Sequence, residues 1–321
     1  MMNWRLHLRG PLAVALLTQL VVDSAAAQER TLFDFQSAFW MNLHTYLHAL
    51  TRGNSPLVEP LPDAASSEER ERWVAGVAAY RERFGKRSLL FDDELSRLTW
   101  NISHAGSAEK LEGAGIDAET RALLERLAPI YRKHRWPQHD AANRAFIAEV
   151  TPLVARYGDA IATRLAKSYG KTWDRPARVD VVRDAGPPGN AHTVSKPLHI
   201  TIGAIDSRYP GLSKLELLFH EASHGRDEVL ITEVNAVATR LGIRAPRNLW
   251  HAILFFNSGA IATDIFRAAG NPGYRQIMYT SKVFVDLHAP VAKHWPAFLA
   301  GQISREEAIA RILKESLIAN P

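Results

Sequence analysis

The chain has 321 residues, 46% hydrophobic and 23% charged, with a formal net charge of +5. That profile belongs to a folded globular protein and excludes a disordered or fibrous one. Cysteine is absent, which excludes disulfides, thiol nucleophiles and thiolate metal sites, so any metal must be held by His, Asp or Glu.

In chain order, Arg5 and Arg9 lead into the apolar run PLAVALLTQLVV, and Ala25-Ala26-Ala27 offers a small-residue cleavage site. This is the pattern of a signal peptide over residues 1–27, with an apolar run short of the roughly 20 residues a spanning helix needs. The expectation is an exported protein, periplasmic or secreted, with no stable transmembrane segment after cleavage.

LFDFQSAFWMNLHTYLHALTRG has apolar residues at helical spacing and predicts a helix as the first element, ended by the proline-rich NSPLVEPLPDAASS. Its His44 and His48 stand four apart but have no neighbouring glutamate, so they read as packing residues, with a place in the wall of a cleft as the alternative. From Ser67 to about Gly170 the pattern predicts four or five helices, with stops at Gly85, HAGSAEKLEGAG, Pro137 and Gly158. His134, His139 and Asp140 surround a turn and helix start there and match no ligand spacing. Positive charges in this half alternate with acidic ones, without a basic stripe carrying interleaved aromatics, so no nucleic-acid partner is expected.

RVDVVRD and LHITIGA, on either side of the breaker-rich AGPPGNAHTVSKP, are the expected strands. From Ser213 the chain is helical again, in segments divided at Gly225, Gly242 to Pro246, and Gly270 to Gly273. The order predicts an α+β protein, predominantly helical, with a helical region over 28–170 and a second region over 171–321 packed against it or continuous with it.

That second region opens on FHEASHG. His220 and His224 lie one helical turn apart and project to the same side, so both imidazoles can grip one ion. Glu221 beside them can serve as general base toward a water whose pKa a metal lowers from about 15.7 to about 7. Ser213 and Glu216 match a capping box, placing the helix start near Lys214. Leu212, Leu215, Phe219 and Ala222 then form a buried stripe, with the histidines pointing away from it.

The segment from GNAHT through LHITIGAIDSRYPGLSKLELLFHEASH resembles the zincin metallopeptidases, especially the small gluzincin-like ones, over about thirty-five residues. The resemblance implies a zincin-like core with a small β-sheet and a bound zinc ion. It also implies that LHITIGA is the sheet-edge strand that aligns a peptide or protein substrate by strand addition.

A catalytic zinc takes three protein ligands, so a third must come from elsewhere. The metzincin extension is excluded because Asp227 and Leu230 stand where it needs Gly and His. His251, on the inward face of the apolar RNLWHAILFFNSGAIATDIF, is one choice; Glu233, only nine residues after His224, is the alternative, and Asp264 is a minor one. A donor for the developing oxyanion is also expected. Tyr279 is selected marginally over Tyr274, His288 and His192.

No nucleophile elbow, P-loop or dinucleotide fingerprint occurs. The reading is therefore an exported zinc metallopeptidase with zinc on His220, His224 and His251 and with Glu221 as base. Its alternatives are a catalytically inactive zincin-like envelope binding protein and a helical envelope protein without metal.

Overall fold

Phe33 and Phe35, two residues apart, put both rings on one face of a short strand, β1 (Phe33–Gln36), which pairs in parallel with β2 (Ala177–Val182). β2 pairs in parallel with β4 (Leu198–Gly203), and β4 antiparallel with β3 (Ala191–Ser195). The sheet order is β1-β2-β4-β3, with β1 and β3 at the edges. The computed structural model describes residues 31–52, 61, 64–105, 110–111, 115–186 and 189–319. The signal peptide expected over 1–27 lies outside them.

Two expectations about strands are corrected. The chain after residue 30 begins with a strand rather than a helix, because the phenylalanines of FDFQ pair with β2 before the helical spacing begins. LHITIGA is an interior strand, since part of the breaker-rich stretch folds back on it: Ser195 pairs with Leu198 across the two-residue turn Lys196-Pro197. The free edge on that side therefore belongs to β3.

The register aligns Phe35, Val179, Ile200 and Thr193 across one face, flanked by Val181, Ile202 and Ala191. This face is covered by α5 (Trp136–Tyr169) and α6 (Leu212–Ser223), with the Phe33 ring edge-on to Phe219 at 5.3 Å. The other face carries buried polar groups. There Asp180 accepts from Arg178 Nε and His199 Nε2, each at 2.7 Å, which offsets the cost of burying its carboxylate. α1 (Phe39–Arg52) covers that side, and the amide of Asn42 donates to the Val181 carbonyl at 3.2 Å.

α2 (Ser67–Phe84) starts at a capping box in which Ser66 and Glu69 satisfy each other's backbone N–H. α3 (Asp93–Ser103) and α4 (Ala118–His134) follow, each begun by an aspartate cap. These helices enclose an aromatic core around Trp40, Tyr80 and Tyr131. α5 runs straight through Gly158, where a stop was expected. A Cβ there would stand 2.5 Å from Leu32 Cδ1, so the glycine admits the chain leading into β1 against the helix rather than ending it.

The second core takes in the apolar sheet face, the later half of α5 and the C-terminal helices: α7 (Asp227–Arg240), α8 (Leu249–Ala268), the short α9 (Ile277–Thr280), α10 (Val285–Leu299) and α11 (Arg305–Ala319). α8 is long and apolar enough to cross a bilayer, but 72% of that stretch is buried inside the protein, where it is the central helix. The architecture is α+β and mostly helical, with one small mixed sheet.

Candidate metal centre

α6 begins at Leu212 after Gly211, whose φ of 53° is readily adopted only without a side chain, and no side chain caps it. The expected capping box does not form. Glu216 is fully buried, accepting from the Tyr274 hydroxyl at 2.5 Å and the Ile277 N–H at 2.9 Å. Burial pushes its carboxyl up to about 7 against the opposing pull of these two donors. The helix is also buried on all sides from Leu215 to Ser223, not along one stripe, because the sheet, α5 and α8 enclose it.

His220 leaves this helix at its last turn, and His224 opens the short 3₁₀ turn His224–Arg226 that follows. His251 comes from the first turn of α8. The ring centroids are 5.1 Å apart for His220 and His224, 5.3 Å for His220 and His251, and 4.9 Å for His224 and His251. One nitrogen from each ring lies within 4.8 Å of the others.

The Nε2 atoms of His220 and His251 are 3.4 Å apart. Two nitrogens each about 2.0–2.1 Å from one ion at a tetrahedral angle stand about 3.3–3.4 Å apart, so this pair matches an edge of a zinc tetrahedron. Burial, reinforced by the neighbouring imidazoles, lowers the pKa of His220 well below its ordinary value and that of His251 to about 3. Both are thus held as neutral rings, the form that binds a metal. The donor set fits zinc.

Packing orients the three rings. His220 Nδ1 is buried without a hydrogen-bond partner, and the ring is held by Phe255, with centroids 3.9 Å apart. His251 lies between Trp250, stacked at 5.0 Å, and Phe284 at 4.9 Å. His224 turns Nδ1 toward Asp227 Oδ2 at 3.8 Å. Glu221 is 5% exposed, and its Oε2 accepts from the Thr193 hydroxyl at 2.7 Å. Burial raises the Glu221 pKa, opposed by His224 and by the Thr193 hydrogen bond. Glu221 is thereby tied to edge strand β3.

Glu233 is corrected as a ligand: it faces α11, where Arg305 Nε donates to it at 2.6 Å, one of two guanidinium contacts. Asp264 pairs with Arg164 at 2.9 Å. Tyr279 packs its ring on His288 at 5.0 Å and lines a separate cleft. Tyr274 is committed to Glu216, and His288 Nε2 contacts the Val283 carbonyl at 2.5 Å. His192 points to the polar face of the sheet, opposite Thr193.

His44 and His48 belong to that polar side and read as packing residues. His44 is hydrogen-bonded to Tyr80 and Thr99, and His48 to the Arg87 carbonyl. His139 pairs with Tyr131, and His134 with Glu69.

The sequence reading missed Tyr209. It is 6% exposed, its hydroxyl interacts with Ser281, and the Glu221 charge is among those acting on it. No spacing rule connects Tyr209 to HEASH; it lies in the connection between β4 and α6.

No family model, curated protein or solved structure matches this chain.

Proposed function

We infer that this protein is an exported zinc-dependent metallopeptidase with a zincin-like core. The observation that carries the reading is the convergence of His220, His224 and His251, with Nε2 atoms of two of them 3.4 Å apart, beside a buried Glu221 carboxylate. The export half rests on the signal pattern of residues 1–27.

Zinc held by the three imidazoles would supply Lewis acidity, acidifying a water and polarising the peptide carbonyl. Glu221 then takes the proton from the attacking water and passes it to the leaving amine nitrogen. Its raised pKa suits that shuttle, because a carboxylate of ordinary acidity holds a proton poorly. Thr193 donates to Oε2, fixing the carboxylate and leaving Oε1 to carry the proton. The same residue sits on the free edge of β3, so a substrate chain paired there would run past the base. Tyr209, on which the Glu221 charge acts, is a candidate donor to the developing oxyanion.

The test is hydrolysis of a mixed peptide library, read by mass spectrometry. Glu221→Gln should lower turnover by about 10²- to 10⁴-fold while zinc content stays at the wild-type level. Unchanged turnover in that variant contradicts the reading.

A further inference from the structure

A cleft of about 410 Å³ lies between α5, α8 and the end of α10, closed at one side by the segment from Arg275 to Tyr279. It stands apart from the histidine centre. Thr263 in its wall is twelve residues along α8 from His251, about 18 Å at 1.5 Å per residue, and the cleft-facing residues of α8 occupy a different side of that helix.

Three guanidiniums line it, from Arg164, Arg267 and Arg275, against a single carboxylate, Asp264. Asp264 is paired with Arg164 at 2.9 Å. Arg267 spends one N–H on the Tyr274 carbonyl at 3.1 Å and keeps its other donors. Arg275 has no hydrogen bond or ion pair among the described residues. The cleft therefore holds an excess of positive charge presented as planar donor forks, the geometry that suits carboxylate and phosphate. Phe256, Tyr279 and Leu299 supply apolar walls.

We propose that this cleft binds an organic anion, a carboxylate or phosphate monoester carrying a small apolar group. Arg267 and Arg275 hold the charge, and Phe256 and Leu299 enclose the apolar part. The volume is that of a small-molecule site. The assignment does not depend on zinc or on peptide hydrolysis.

Calorimetric titration of the full chain with 3-phenylpropionate, and separately with 3-phenylpropanol, tests it. Saturable binding of the acid and not of the alcohol is expected. Affinity should fall at least about tenfold in Arg267→Ala/Arg275→Ala and should stay at the wild-type level in His251→Ala. If the double variant melts early, Arg275→Glu carries the test, since that side chain has no partner to lose. Four results overturn the proposal: no saturable binding up to about 10 mM, equal binding of the alcohol, wild-type affinity in the arginine variants, or loss of binding in His251→Ala, which would place the acid at the histidine centre.

Discussion

The Thr193 hydroxyl donates to Glu221 Oε2 at 2.7 Å, linking edge strand β3 to the glutamate of HEASH across 28 residues of chain. The bond sets the direction of the carboxylate, so its loss should act on turnover more than on binding. Thr193→Val is expected to lower kcat by about tenfold, with KM and zinc content near wild type. Thr193→Ser should restore most of the activity. Steady-state kinetics on all three proteins checks this, and an equal loss in Thr193→Ser and Thr193→Val would contradict it.

Glu216 gives the protein a pH dependence of known sign. Its folded-state pKa of about 7 lies above the ordinary carboxyl value, so its contribution to stability is full below about pH 4.5 and is lost as pH rises through 7. Wild type should therefore lose stability relative to Glu216→Gln over that interval, by at most about 3 kcal/mol. Urea unfolding of both proteins at pH 5 and pH 8 measures the difference; parallel behaviour would show that burial does not perturb this group.

Gly259 lies opposite the same carboxylate. A Cβ there would come 2.9 Å from Glu216 Oε1 and 3.0 Å from Gln276 Oε1, forcing two buried polar groups to move. Gly259→Ala should cost about 1–3 kcal/mol despite the better helix propensity of alanine, read as a lowered melting temperature.

The meeting of His220 and His224 and the inward face of His251 are legible in the sequence because each follows from helical spacing within one segment. What was not legible depended on partners far along the chain. Ser213 and Glu216 have capping-box spacing, but Glu216 is claimed by donors at Tyr274 and Ile277, which local sequence does not reveal. β1 is only four residues long and is stabilised by pairing with a strand more than a hundred residues away. LHITIGA reads as the edge because the prolines and glycines around AHTVS hide the strand that covers it. Glu233 was a plausible carboxylate until Arg305, in the last helix, was seen to hold it.

That last pair separates the two third-ligand assignments. Glu233→Ala removes a partly exposed ion pair and should cost no more than about 1 kcal/mol, without touching the metal centre.

The central claim is that His220, His224 and His251 together hold one zinc ion, and zinc stoichiometry by mass spectrometry of the purified, metal-replete protein tests it most directly. The account predicts one zinc per chain in the wild type and in Glu233→Ala, and loss of tight zinc binding in His251→Ala with the fold retained by circular dichroism. A wild-type protein without stoichiometric zinc, or a His251→Ala variant that keeps it while Glu233→Ala does not, would contradict the account.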